Sequence, residues 1–181
     1  MSAATEALCN HPVFRFFRVI SDIPRPSKHE EQISQFLFRW ARERGLEAEQ
    51  DEKLNILIRK PATPGYEGAP GIMLQAHMDM VCEKAPEAEH DFMKDPIHWE
   101  LDGDILSTGR RTTLGADDGI GVAMAMAVLD DDTLSHPALE VLFTTAEEDD
   151  FSGAEHFDVS KMTATRLINL DHANEKQILC G

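Results

Sequence analysis

Cysteine is scarce in this 181-residue chain, which has only Cys9, Cys82 and Cys180. They are widely spaced and none belongs to a CxxC or CxxH unit, so the usual cysteine zinc site is excluded. An odd, scattered set fits free thiols in a reducing compartment, and a cytoplasmic location is expected. Basic residues are also few: 17 Lys and Arg stand against 33 Asp and Glu, a formal net charge of −16. A polyanion would be repelled, and no basic stripe offsets this, so nucleic acid is excluded as a partner. No apolar run approaches the ~20 residues of a membrane span, so no membrane partner is expected. Met1 to Asn10 lacks a basic segment followed by an apolar core, and no signal peptide is expected. Internal repeats and low-complexity segments are absent as well.

What is present is an apolar fraction of 42%, enough for a packed core, in a length that suits one domain. Asn10 and Pro12 can cap and start a helix that puts Val13, Phe16, Phe17 and Ile20 on one face. Pro24-Arg25-Pro26 breaks it. Ser27 and Glu30 have capping-box spacing, and Ile33, Phe36, Leu37, Trp40 and Ala41 form the next stripe, with Gly45 as a stop. Leu54 to Arg59 and Ile72 to Ala76 read as short strands joined by a loop rich in Pro and Gly. Ile97 to Leu101 and Ile105 to Thr108 flank Asp102-Gly103, a hairpin signal. Gly119 to Leu129 is apolar almost all round, the pattern of a buried helix. Leu139 to Thr144 and Leu167 to Leu170 read as buried strands, and Gln177 to Cys180 begins another. Interleaved strands and helices predict an α/β fold with a mostly parallel central sheet and flanking helices. The last strand pattern runs straight into Gly181 with no closing helix or polar tail, as in a domain cut short.

Four polar clusters stand at the ends of these elements: His77-Met78-Asp79, Asp117-Asp118, Glu147-Glu148 and Asp171. Residues two apart on extended chain face the same way, so Asp79 can orient the ring of His77 while the other nitrogen binds a metal. The alternative is a His hydrogen-bonded at a strand end. Asp117 opens a helix and is either an N-cap or a carboxylate bridging two metals, roles that compete for the same oxygens. Glu147 and Glu148 are either an acidic loop, extended by Asp149-Asp150, or a metal ligand beside a general base. Asp171 alone reads as a turn residue. Taken together, oxygen donors and one His suit zinc, manganese or cobalt better than calcium. Two such ions would make a water acidic enough to act as hydroxide and would polarise a carbonyl, which is amide hydrolysis.

The order of these clusters resembles the dinuclear zinc peptidases of the aminoacylase and carboxypeptidase G type. Pro24-Arg25-Pro26-Ser27, Leu74 to Val81 and Thr113 to Gly121 are similar to the bacterial aminoacyl-histidine (Xaa-His) dipeptidases, and the resemblance runs from about Phe17 to Gly181. It implies a zinc-exopeptidase-like catalytic domain with two Zn2+ per complete site, Co2+ or Mn2+ being substitutes. His77 and Asp171 would ligate one zinc and Glu148 the other, with Asp117 as bridge. Glu147 would be the general base and Asp79 the residue orienting His77. A cis peptide would follow Asp117. A small peptide is the implied substrate and a homodimer the implied full-length assembly.

The family's second zinc takes a further His that follows an inserted lid domain. His172 sits beside a ligand instead, so residues 1–181 are expected to be the N-terminal portion of the catalytic domain, without the lid and with one ligand short. His11, His29, His90, His98, His136 and His156 read as surface or packing residues. A non-catalytic metal-binding or interaction fragment and an N-acyl amino acid deacylase are the alternatives.

Overall fold

In the computed structural model, residues 3–172 are described. The sequence-predicted strand at Gln177 to Cys180 lies outside them. Three helices come first: α1 (Ala3–Leu8), α2 (Pro12–Ser21) and α3 (Glu31–Glu43). Pro12 does start α2, but its N-cap is His11 and makes no side-chain cap bond. Asn10 lies one residue before that N-cap, in the turn that ends α1, where its N–H donates to Ala7 O. The expected capping box before α3 does not form either. The Ser27 hydroxyl donates to Asp79, and the Glu30 carboxylate accepts from Lys28 N and Ala146 N. Tertiary partners have taken both side chains.

Five strands form the main sheet: β1 (Glu47–Gln50), β2 (Ile56–Lys60), β3 (Ile72–His77), β6 (Leu139–Thr144) and β7 (Arg166–Asn169). Their spatial order is β1-β2-β6-β3-β7. The β6-β3-β7 half is parallel, and β1 and β2 add an antiparallel margin. β1 has no apolar signature, because only Ala48 of its four residues is buried at this edge. β4 (Glu100–Asp102) and β5 (Ile105–Ser107) make the small hairpin. It is shorter than its apolar pattern because Ile97 and Trp99 pack on α2 instead: Ile97 N donates to Ser21 O and Trp99 Nε1 to Ser21 Oγ.

β2, β3 and β6 are covered on both faces, which is why they read as continuous apolar runs. Ile56, Ile58, Leu74, Ala76, Val141 and Phe143 face a core built from α2, α3 and α4 (Ala116–Asp130). Leu57, Met73 and Leu142 face the other way, against Phe157. The apolar α4 is buried along most of its length, although Met124 is open to solvent.

One acid in this second layer is structural. Glu140 on β6 is 3% exposed. It accepts from Thr163 N, Ala164 N and the Thr163 hydroxyl, and it meets Arg59 at 3.3 Å. Burial pushes its pKa up, but those donors outweigh burial and hold it below its ordinary value. The carboxylate therefore stabilises the fold above about pH 4.5, and that contribution is lost as pH falls through the depressed folded value. Glu140→Gln is expected to lose about 1.5–3 kcal/mol at pH 7, the worth of a hydrogen bond to a charged group. Urea midpoints at pH 7 and pH 3 check this; equal stability of the two proteins at pH 7 would refute it.

Candidate metal centre

The parallel strands all deliver their C-terminal ends to one edge of the sheet, where α/β proteins bind ligands. His77 closes β3. Glu147 and Glu148 follow β6, and Asp171 follows β7, whose register is fixed there by Leu170 N donating to Gln75 O. Asp117 comes from the start of α4. Between β7 and β6, β3 is the central strand, so its terminal His77 is the natural focus of the group.

His77 is 1% exposed, and its Nε2 lies 3.1 Å from Asp117 Oδ1, 3.8 Å from Glu147 Oε2 and 3.9 Å from Asp171 Oδ2. Two overlapping sets of donor atoms lie close enough to share an ion: His77, Asp117 and Glu148, and His77, Glu147 and Asp171. One ring nitrogen serves one ion, so both sets cannot be filled through His77. This grouping differs from the resemblance-based one, which put Glu148 on the other metal from His77 and kept Glu147 as base.

Asp79 is fully buried, with Oδ1 3.3 Å from His77 Nδ1. The contact is close but off the line of a hydrogen bond. The side-by-side placement follows from extended chain past the strand end, where Met80 bridges to Pro26. Asp79 also does what the sequence did not reveal. It accepts from Glu147 N, Glu148 N and the Ser27 hydroxyl, and so ties the acidic turn to the end of β3. Burial opposes its charge, but these donors and His77 outweigh it and hold the pKa below the ordinary carboxylate range.

The capping expected of Asp117 falls to its neighbour. The peptide between Asp117 and Asp118 is cis. Asp118 is buried and accepts from His77 N and Gly121 N, so it performs the capping. The Asp117 carboxylate is left free of that duty, with its side chain 71% exposed and facing His77. Glu147 and Glu148 are not on extended chain as expected. They lie in a turn entered through Ala146 at φ +53°, with Asp150 N and Phe151 N donating back to Ala146 O. The remaining histidines stay out of the cluster; His136, for example, is buried and donates through Nδ1 to Pro137 O.

The electrostatics fit a divalent cation. Burial, joined by repulsion among the neighbouring acids, raises the pKa values of Glu147, Glu148 and Asp171. Burial lifts Asp118 to about 7. Burial opposes the charge on His77, but Asp79, Asp118 and Asp117 outweigh it and bring its pKa to about 9. Oxygen donors crowded on one imidazole, short of positive charge, are a donor set for a borderline divalent metal.

Residues 56–179 match the model of peptidase family M28. The chain belongs to this family. It is 46% identical over 174 residues to the cytosol non-specific dipeptidase of Escherichia coli, a match that covers 96% of this chain and 36% of that protein. The crystal structure of aminoacylhistidine dipeptidase from Vibrio alginolyticus matches with a TM-score of 0.86 at 43% identity, over 89% of this chain and 33% of that one. The aminopeptidase PepT of Bacillus cereus shares the fold, with a TM-score of 0.75 at 23% identity over 89% of this chain and 43% of that one. The family member described here thus spans about a third of the length of the dipeptidases it matches. These likenesses agree with the dipeptidase resemblance read from the motifs. Among the described residues, no helix is long and apolar enough to cross a membrane.

Proposed function

We propose that this chain forms the N-terminal metal-binding part of a cytoplasmic dizinc dipeptidase acting on Xaa-His and related dipeptides, homodimeric at full length. The observation that carries the reading is the buried imidazole of His77 surrounded by acids from β6, β7 and α4, in a chain 46% identical to a dipeptidase. His77, Asp117, Glu148 and Asp171 would hold the ions, zinc by preference and Co2+ or Mn2+ as substitutes. When bound, such ions supply Lewis acidity, polarising the scissile carbonyl and lowering the pKa of a water to about 7. Glu147 takes the proton of the attacking water and returns it to the leaving amine. Its raised pKa suits both halves of that transfer. Asp79 keeps the His77 ring oriented and the Glu147 turn against it.

A second reading is favoured by the ring nitrogen common to both donor sets: one metal held firmly, without turnover. Metal analysis combined with a substrate panel separates the readings. Xaa-His and other dipeptides and N-acyl amino acids are supplied with Zn2+, Co2+ or Mn2+. Two metals with dipeptide hydrolysis support the first reading. One metal and no hydrolysis supports the second for this chain, whose own turnover is expected to be weak. Preference for N-acyl amino acids would replace both with a deacylase.

A further inference from the structure

Arg25 heads the fully buried side chains by size, and both terminal nitrogens of its guanidinium are spent on main-chain carbonyls. Nη1 donates to Met78 O at 3.1 Å and Asp79 O at 3.0 Å, and Nη2 donates to Gly115 O at 2.5 Å. The first two carbonyls lie just beyond His77, and the third lies two residues before Asp117. One planar fork therefore fastens the end of β3 to the corner that opens α4. The backbone of that corner closes directly on it: a Cβ added at Gly115 would sit 2.5 Å from Nη2, and one at Gly119 would sit 2.6 Å from it.

The same short segment reaches the third ligand-bearing loop. Ser27 Oγ donates to Asp79 Oδ2 at 2.7 Å. Glu30 is 3% exposed, and its Oε1 accepts from Ala146 N and Lys28 N, each at 2.9 Å. Both of those residues are left-handed without being glycine, at φ +53° and +66°. Such backbone persists only where its surroundings hold it, and here one carboxylate oxygen holds both. Ala146 immediately precedes Glu147, so Glu30 fixes the entry into the acidic turn.

We infer that the segment Arg25 to Glu30 is the positioning element of the metal centre, with Arg25 setting the separation of His77 from Asp117. The inference rests on the metal-binding reading proposed above. An arginine present only to neutralise charge would point at carboxylates. Arg25 instead grips the carbonyls on either side of a candidate ligand pair whose members are 40 residues apart and 3.1 Å from each other. Lysine keeps the charge but offers no planar fork, so it cannot hold carbonyls on two elements in one geometry.

The test is a Co2+ titration of this chain followed by visible absorption, with a thermal melt of every variant. Arg25→Lys is expected to raise the Kd for Co2+ about 10–100-fold and to shift the cobalt bands, as loss of an outer partner does. Leu57→Ala, a cavity on the opposite sheet face, is the stability control and is expected to keep the wild-type Kd and spectrum. A folded Arg25→Lys protein with wild-type Kd and bands would overturn the inference. Equal weakening in Leu57→Ala would overturn it too. Should Arg25→Lys lack a cooperative melt, Gly119→Ala takes its place, because its methyl crowds the guanidinium, and with it the Phe17 ring, without removing the arginine. It is expected to weaken Co2+ several-fold, and unchanged binding there is again fatal. Absence of Co2+ binding by the unmodified chain refutes the metal reading itself, a failure seen in every protein of the series and so distinct from failure of the Arg25 inference.

Discussion

His77→Ala is expected to raise the Kd for Zn2+ or Co2+ by well over the roughly 10–100-fold that follows loss of an outer partner. His77 is the only imidazole in either candidate donor set among the described residues. Its removal leaves acids alone, and burial, with their mutual repulsion added, already raises the pKa values of Glu147, Glu148 and Asp171. The ring also cannot be replaced by a neighbour. His172 is exposed, and the buried His136 donates to a carbonyl elsewhere. The same titration on His156→Gln, an exposed position on α5 (Ser152–His156), should give the wild-type Kd. Wild-type affinity in His77→Ala would remove the centre of the proposed site.

Glu147 and Glu148 should separate cleanly when each is changed to Gln. Glu147→Gln is expected to lower kcat for dipeptide hydrolysis about 100- to 10,000-fold, the usual contribution of a general base, with metal affinity nearly unchanged. Glu148→Gln is expected to weaken metal binding first. The distinction is a real one, because Glu147 Oε2 lies 3.8 Å from His77 Nε2 and belongs to a donor set with Asp171. Affinity measurements decide even where turnover is too slow to follow. A large loss of metal affinity in Glu147→Gln would make it a ligand and leave the base unassigned.

Much of the scaffold was legible because its signals are local or strongly periodic. β2, β3 and β6, buried on both faces, read as unbroken apolar runs, and the apolar helix after Asp117-Asp118 had to be buried. The equally apolar Leu167 to Leu170 did not make a buried strand, because among the described residues β7 stands at the sheet edge with Leu167 and Ile168 exposed. The pairing of His77 with Asp79 was legible for a similar reason: extended chain continues past β3, so alternate residues share a side. The same rule misled for Glu147 and Glu148. There the chain turns at Ala146, a left-handed alanine that carries no sequence signal, and the partner that holds it is Glu30, 116 residues away. Ser27 and Glu30 likewise looked like a local cap, and only tertiary contacts reveal that both face the site. Asp117 could not be read as cap or ligand from one position, because the capping is done by Asp118. β1 was illegible since a polar edge strand has almost nothing to bury.

The candidate ligands are gathered from positions 77, 117, 147, 148 and 171, on three strand ends and one helix start. No unfolded chain holds those positions together, so a cation recognised by either donor set binds the native state alone. By mass action, a free metal concentration one hundred times the Kd adds about 2.7 kcal/mol to native stability. That is a large share of the roughly 5–15 kcal/mol that separates folded from unfolded domains. The protein would then be a gauge of its own metal supply: when the ion is withdrawn the unfolded fraction rises about a hundredfold, and proteolysis removes chains that cannot be loaded.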